Sequence, residues 1–302
     1  MRKAISLTCM FGLVVVFFTL ANCFAAEPTS TQLGRIEEAV KKIKHTARGI
    51  QKEGYDELKA IGIVSASYLI DMLKDKTASR ESKTLACDLL GDLKAKNAVE
   101  TLIYTLKNDS YTIRAAACKA LGKIADARAL NPLLGMLSDK ESSVRESAIY
   151  ALVNFRDNRI PAQVAEYISD NSEKVRIAVI TLLNEKLDIK TAAQIRKALA
   201  NDKSKDVRRI AAKALGSLKD KNSVEVLAEA ITEDLDHFTR EQCAESLGKI
   251  GDKKAVPALI EALKDDYKDV QLKAASSLKA ITGQNFGREY AKWSQWYSSQ
   301  KK

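Results

Sequence analysis

Histidine is nearly missing from this chain. Only His45 and His237 occur among 302 residues, in unlike contexts, and neither is followed by glutamate. No repeated histidine pair is therefore on offer to a metal, and the carboxylates are spread evenly, as on solvated helix faces. The two tryptophans, Trp293 and Trp296, both lie at the C-terminal end. Aromatic residues make up 6% of the chain. None interleave the basic stretches, which argues against a nucleic-acid partner. Four prolines and 13 glycines are too few for long disordered tracts. There is no glycine-rich phosphate loop, nucleophile elbow or CxxC motif. The expectation is a non-enzymatic chain with no catalytic, cofactor or metal site.

What is present begins with a leader. Arg2 and Lys3 precede an uncharged, largely apolar run from Ala4 to Ala21, followed by Cys23-Phe24-Ala25. Residues 1–26 read as a secretory signal peptide, cleaved near Ala25 or Ala26. Leu20-Ala21-Asn22-Cys23 also has the outline of a lipobox, with lipidation at Cys23, although Asn22 fits poorly where a smaller residue is usual. An uncleaved anchor is the third reading, the apolar run being at the short limit for a span. All three export residues 27–302, with the periplasm as the expected compartment and secretion as the other outcome. No later stretch is apolar enough to cross a membrane.

The rest of the chain is periodic. Leucine recurs at positions 90, 121, 152, 183, 215, 247 and 278, in steps of 31 or 32 residues. Seven positions earlier stand Lys83, Arg114, Arg145, Arg176, Arg208, Arg240 and, in the last copy, Gln271. A fixed period of this length marks a repeat array. In residues 254–282, Pro257 suits the first turn of a helix. Val256, Leu259, Ile260 and Leu263 share one helical face, and Val270, Ala274, Leu278 and Ile281 form the stripe of a second helix. Copies fall at roughly 63–93, 98–124, 129–155, 160–187, 192–218, 223–250 and 254–282. Two helices joined by a short turn cannot bury both stripes alone, so each hairpin must stack on the next. The expected fold is all-α, a solenoid of about seven helical hairpins over residues 63–282. Residues 27–62 form an N-terminal cap, with one long helix from Gly34 to Gln51, and residues 283–302 form a C-terminal cap.

The pattern A-V-x-x-L-x-x-x-L, then Asp, then V-R-x-x-A-x-x-A-L-G resembles HEAT-like repeats, particularly the short bacterial type related to phycobilin-lyase subunits. The resemblance covers about residues 60–282. Asn184 replaces the usual glycine in one copy and Thr239 the usual valine in another. The resemblance implies an α-α superhelix that binds another protein. Its enzyme-associated relatives imply an alternative: a lyase- or chaperone-like accessory subunit, or a hydroxylase-like oxidoreductase, acting on a protein-bound cofactor or protein substrate. The repeated His-Glu pairs that hold iron in proteins similar to deoxyhypusine hydroxylase do not occur here. Residues 283–302, with T-G-Q-N-F-G followed by W-x-x-W, resemble the element that closes many bacterial HEAT arrays. Trp293 and Trp296 share a helix face and are expected to cover the last hairpin.

Asp139, Asp170, Asp202 and Asp234 each stand six positions before Arg145, Arg176, Arg208 and Arg240, and Asp109 five before Arg114. Each aspartate falls in the turn and each arginine in the first turn of the second helix. The expected role is a structural ladder of charge-assisted hydrogen bonds, within one hairpin or to the next. Cys87, Cys118 and Cys243 fall in slots that hold small apolar residues elsewhere, so buried free thiols are expected. Equivalent positions on packed helices stand about 8–10 Å apart, beyond disulfide reach of about 7 Å.

The net charge is +10 overall, +8 without Arg2 and Lys3. Residues 191–221 carry nine basic and three acidic side chains, and residues 222–253 three basic and eight acidic. Adjacent blocks of opposite sign either complement each other on stacking or present a basic binding patch. Partner binding is expected on a concave face lined by the second helices, two residues before and after each repeat leucine. Lys119, Lys123, Tyr150, Asn154, Lys213, Glu245 and Lys249 fall there.

Overall fold

A computed structural model describes residues 28–108 and 110–300. Residues 1–27, on which the expected leader and Cys23 fall, and Asp109 lie outside the described residues. The described chain is helical, with no strand. An N-terminal hairpin of α1 (Ser30–Ile43) and α2 (Arg48–Ile61) precedes seven further hairpins. Their helices are α3 (Ala66–Lys74) and α4 (Arg80–Asp92), α5 (Val99–Asn108) and α6 (Tyr111–Ile124), α7 (Leu130–Gly135) and α8 (Ser142–Leu152). Then come α9 (Ile160–Ala165) and α10 (Glu173–Glu185), α11 (Ala192–Asn201) and α12 (Lys205–Leu218), α13 (Val224–Glu233) and α14 (His237–Ile250), α15 (Val256–Glu261) and α16 (Lys268–Thr282). The last helix, α17 (Tyr290–Ser299), is single.

The expected long helix from Gly34 to Gln51 is two helices. The chain breaks at 44–47, where the Ala47 amide donates to His45 Nδ1 at 3.0 Å. The fold-back lets Gly54 of α2 sit directly on α1, so close that a Cβ there would lie 2.6 Å from the Ala39 carbonyl oxygen. The N-terminal cap is thus a hairpin that begins the stack.

All seven repeat leucines are fully buried, in one hydrophobic core that runs from Ile36 to Trp293. Each is worth about 1.5–3 kcal/mol of burial. From α4 to α16 the even-numbered second helices pack on one another more closely than the odd-numbered first helices do. Small residues make this possible. A Cβ on Gly122 of α6 would lie 2.6 Å from Ala151 Cα of α8. Ser246 of α14 donates to the Ala212 carbonyl of α12, and Ser277 of α16 to that of Ala244 in α14, both at 2.8 Å. Tight second helices and looser first helices curve the stack, with the second helices on the inside. Val153 and Asn184 occupy the corresponding glycine position in α8's and α10's hairpins, and α10 packs less closely on α8 and α12 than α6 does on α8 or α12 on α14. Asn184 Oδ1 is buried without a hydrogen-bond partner among the described residues.

Candidate functional site

The aspartates and arginines form a continuous ladder along the hairpin turns. Each arginine side chain reaches forward to the next hairpin in a two-pronged pair. Arg114 meets Asp139, Arg145 meets Asp170, Arg176 meets Asp202, Arg208 meets Asp234 and Arg240 meets Asp265, with N–O distances of 2.6–3.0 Å. Nη1 of Arg145, Arg176, Arg208 and Arg240 also donates backward, to the carbonyl of the aspartate in its own turn. The aspartate carboxylates accept a backbone amide two residues on, which shapes the turn. Burial raises the carboxyls of Asp139, Asp170, Asp234 and Asp265. The arginine and amide hydrogen bonds outweigh it and hold all four below the ordinary range.

Asp265 was not among the expected ladder residues. It stands 13 positions before its leucine, as do Asp139, Asp170, Asp202 and Asp234. Gln271 hides the relationship, because the seventh copy lacks the arginine. Gln271 keeps the backward contact, Nε2 to the Asp265 carbonyl at 2.7 Å, and its Oε1 accepts from Arg288 of the C-terminal segment at 2.7 Å. A second aspartate column also escaped the sequence reading. Asp126, Asp157, Asp188, Asp220 and Asp252 open each following hairpin by accepting the amide two residues on.

At the C-terminus Trp293 is fully buried, its Nε1 donating to the Gly287 carbonyl at 2.9 Å. Phe286 and Trp296 meet it edge-to-face, at 4.9 and 5.8 Å between ring centroids. Cys87, Cys118 and Cys243 are buried and unbridged. Burial pushes the Cys118 thiol up to about 12 and raises that of Cys243 as well. Among the described residues no histidine, cysteine and carboxylate group is arranged to hold a metal, and no helix is long and apolar enough to cross a membrane.

The seven expected inner-face residues all lie on the second helices or just past their ends, and they divide into two sets. Three are tied to neighbours. Lys123 pairs with Asp92 at 2.6 Å, and Glu245 pairs with both Lys249 and Lys273, at 2.8 and 2.9 Å. Glu245 is half-buried, the others of the seven exposed. Lys119, Tyr150, Asn154 and Lys213 are exposed, and their side chains make no hydrogen bond or ion pair among the described residues. The oppositely charged blocks meet in part through their own stack: Arg208 pairs with Asp234, and Lys205 lies 3.8 Å from Asp236.

At the N-terminal end of the inner face a cleft of about 890 Å³ opens between α2, α4 and α6. Tyr55, Thr84, Leu85, Asp88 and Lys123 help line it. Asp92 accepts from Tyr55, Lys59 and Lys123 at 2.6–2.9 Å. Those bonds hold its carboxyl below the ordinary range. Burial raises Asp88 instead, with Lys123 and Lys119 pulling the other way.

A curved stack of helical hairpins with a forward-reaching arginine ladder defines an α-solenoid of the HEAT type. The HEAT-repeat family model matches residues 66–153, 160–245 and 192–279, and the chain belongs to that family. Among solved structures it is similar to YibA from Escherichia coli, at 21% identity and a TM-score of 0.63, over 84% of this chain and 98% of that one. It is similar also to Kap95p, from a structure of its binding to RanGDP, at 12% identity and a TM-score of 0.64, over 84% of this chain and 40% of that one. An engineered protein matches at 18% identity and a TM-score of 0.56, over 88% and 83% of the two chains. At these identities the likeness is one of fold. A search of the curated proteins found no match.

Proposed function

We propose that this chain is an exported, non-enzymatic scaffold that binds another protein of the cell envelope along its inner face. The observation that carries the reading is the set Lys119, Tyr150, Asn154 and Lys213. These four side chains are exposed and make no hydrogen bond or ion pair among the described residues, and they lie on α6, α8 and α12 or just past the end of α8. An aromatic ring between lysines suits a partner with carboxylates and some apolar surface. The leader-like residues 1–26 support export, to the periplasm, with a lipid on Cys23 as the alternative attachment.

The test compares the native chain with a Lys119→Ala/Tyr150→Ala/Lys213→Ala variant in crosslinking pull-downs from the native envelope. The inner-face reading expects a partner captured by the native chain and lost by the variant, with melting unchanged. Equal capture by both rejects it. The intact mass of the exported protein tests the leader: loss of residues 1–25 or 1–26 signifies cleavage, a diacylglyceryl adduct on Cys23 lipidation, and a full-length chain an anchor.

A further inference from the structure

The turn of the sixth hairpin departs from its siblings. Leu235, His237 and Phe238 stand where the fifth hairpin has Lys203, Lys205 and Asp206, and where the fourth has Asn171, Glu173 and Lys174. Tyr267, at the start of α16, replaces the serine, glutamate or aspartate found at that position in the other copies. The ladder is unchanged here, since Asp234 and Asp265 hold Arg208 and Arg240 as elsewhere. Sibling turns make the same ladder pairs with polar residues, so the ladder does not call for Leu235 or Phe238; Tyr267 also lies against Arg240, with 5.6 Å between the guanidinium carbon and the ring centroid.

These side chains form an exposed patch. Leu235 is 97% exposed, Phe238 49% and Tyr267 48%. The His237 ring lies parallel to that of Tyr267 at 3.9 Å and meets Phe238 at 4.0 Å between centroids. Leu235 closes one end of a groove of about 310 Å³ between the fifth and sixth hairpins. Val226 and Ala230 are half-buried in that groove, and Glu229 and Glu233 are exposed along it. Glu225, Glu229 and Glu233 recur one helical turn apart on α13, exposed and without an ion pair among the described residues. An apolar patch of this kind on a soluble chain marks a contact surface. The adjoining carboxylates select the sign of what covers it.

We propose that this turn edge binds a cationic, aliphatic-bearing segment of a partner protein. Basic side chains at helical spacing would meet Glu225, Glu229 and Glu233, and apolar ones would cover Leu235 and Phe238. The surface lies along the first helices and turns, apart from Lys119, Tyr150 and Lys213, so it stands independently of the inner-face reading.

The probe is a fluorescent helical peptide with lysines one turn apart and leucines alongside, followed by anisotropy at low and high salt. The native protein is expected to bind it, more weakly as salt rises. Leu235→Ser/Phe238→Ser and Glu225→Gln/Glu229→Gln/Glu233→Gln are each expected to weaken binding by about tenfold or more, about 1.4 kcal/mol. The second variant should also lose the salt dependence. All five side chains are exposed, so melting should not change. The Lys119→Ala/Tyr150→Ala/Lys213→Ala variant should bind as the native protein does. No binding by the native protein, undiminished binding by the two edge variants, or equal binding of a glutamate-for-lysine peptide overturns the proposal. Preferential binding to phosphatidylglycerol vesicles, abolished by Leu235→Ser/Phe238→Ser, would make the edge a membrane contact and overturn it too.

Discussion

Arg176 and Asp202, 26 residues apart in sequence, meet through two parallel hydrogen bonds, Nε to Oδ2 at 2.7 Å and Nη2 to Oδ1 at 2.8 Å. Their side chains are 5% and 9% exposed. Removing one member leaves the other charged and buried, at a cost of about 3–5 kcal/mol. Arg176→Ala should therefore lower the urea midpoint strongly, whereas Lys119→Ala on the open inner face should change stability by less than about 0.5 kcal/mol. Equal midpoints for the two would refute the bracing role of the ladder. Arg176→Lys keeps the charge but loses the fork, and should fall between them.

Gly122 offers a test in which two effects oppose. In an open helix, alanine for glycine stabilises by about 1 kcal/mol. Here the added Cβ would lie 2.6 Å from Ala151 Cα, on a backbone that cannot step aside without moving α8. Overpacking of that kind costs about 1–3 kcal/mol. Gly122→Ala should thus lower the melting temperature, and a rise would show that the second helices are not in such close contact.

The ladder carboxyls give the fold a defined acid limit. Asp139, Asp170, Asp234 and Asp265 have lower pKa values folded than unfolded. Groups of this sign stabilise at neutral pH and lose that contribution as pH falls through the folded value. Stability should be level above about pH 5 and decline from about pH 4 downward. Glu245 adds a marked step of its own, because hydrogen bonds from Lys249 and Lys273 lower it from 4.5 to about 2. Its contribution is complete above 4.5 and gone by about 2. Urea midpoints measured against pH should show this slope, less steep in Glu245→Gln. A flat profile would contradict the shifts.

Trp293 seals the end of the core. Trp293→Ala should cost about 3–5 kcal/mol, the range for deleting a buried aromatic, and Trp296→Ala less, since Trp296 is only half-buried. Amide exchange should quicken first in α16 and α17 and leave α4 to α8 unchanged. Uniform quickening along the array would mean that the end does not act as a separate seal.

Cys118 and Cys243 are buried with raised thiol pKa values, so neither is a ready thiolate at neutral pH. Iodoacetamide should label them only after denaturation, as read by peptide mass. Labelling of the folded protein at neutral pH would show that the second helices open.

The fold was legible because each hairpin must bury the same stripe, which prints the leucine column directly into the sequence. The break between α1 and α2 was not legible. No glycine or proline marks residues 44–47; the chain turns there so that Gly54 can seat on Ala39, a tertiary demand with no local signal. Asp265 could have been found from its spacing to Leu278 but was masked by Gln271. The direction of the ladder depends on how hairpins stack, and no single copy contains that information. Leu235, His237 and Phe238 stand in a block of strong negative charge, residues 222–253, whose composition masks three apolar or aromatic side chains in one turn. The tethering of Lys123 to Asp92 and of Glu245 to Lys273 likewise depends on neighbours one repeat away, whereas the Glu245–Lys249 pair, four residues apart on one helix, was open to the sequence.

The exchange of arginine for Gln271 has a consequence for length. Every arginine in the column holds out a charge that only another hairpin can answer, so each copy is, in effect, a monomer with one reactive end. Gln271 answers backward as its siblings do, but forward it meets Arg288 and nothing repeats. It closes the ladder in the polymer sense: the last copy holds out no guanidinium from the column, and its forward contact is to Arg288 of the C-terminal segment. Extending this solenoid by design would therefore begin by restoring arginine at 271 and replacing the segment that carries Arg288 and Trp293 with a hairpin that bears its own turn aspartate.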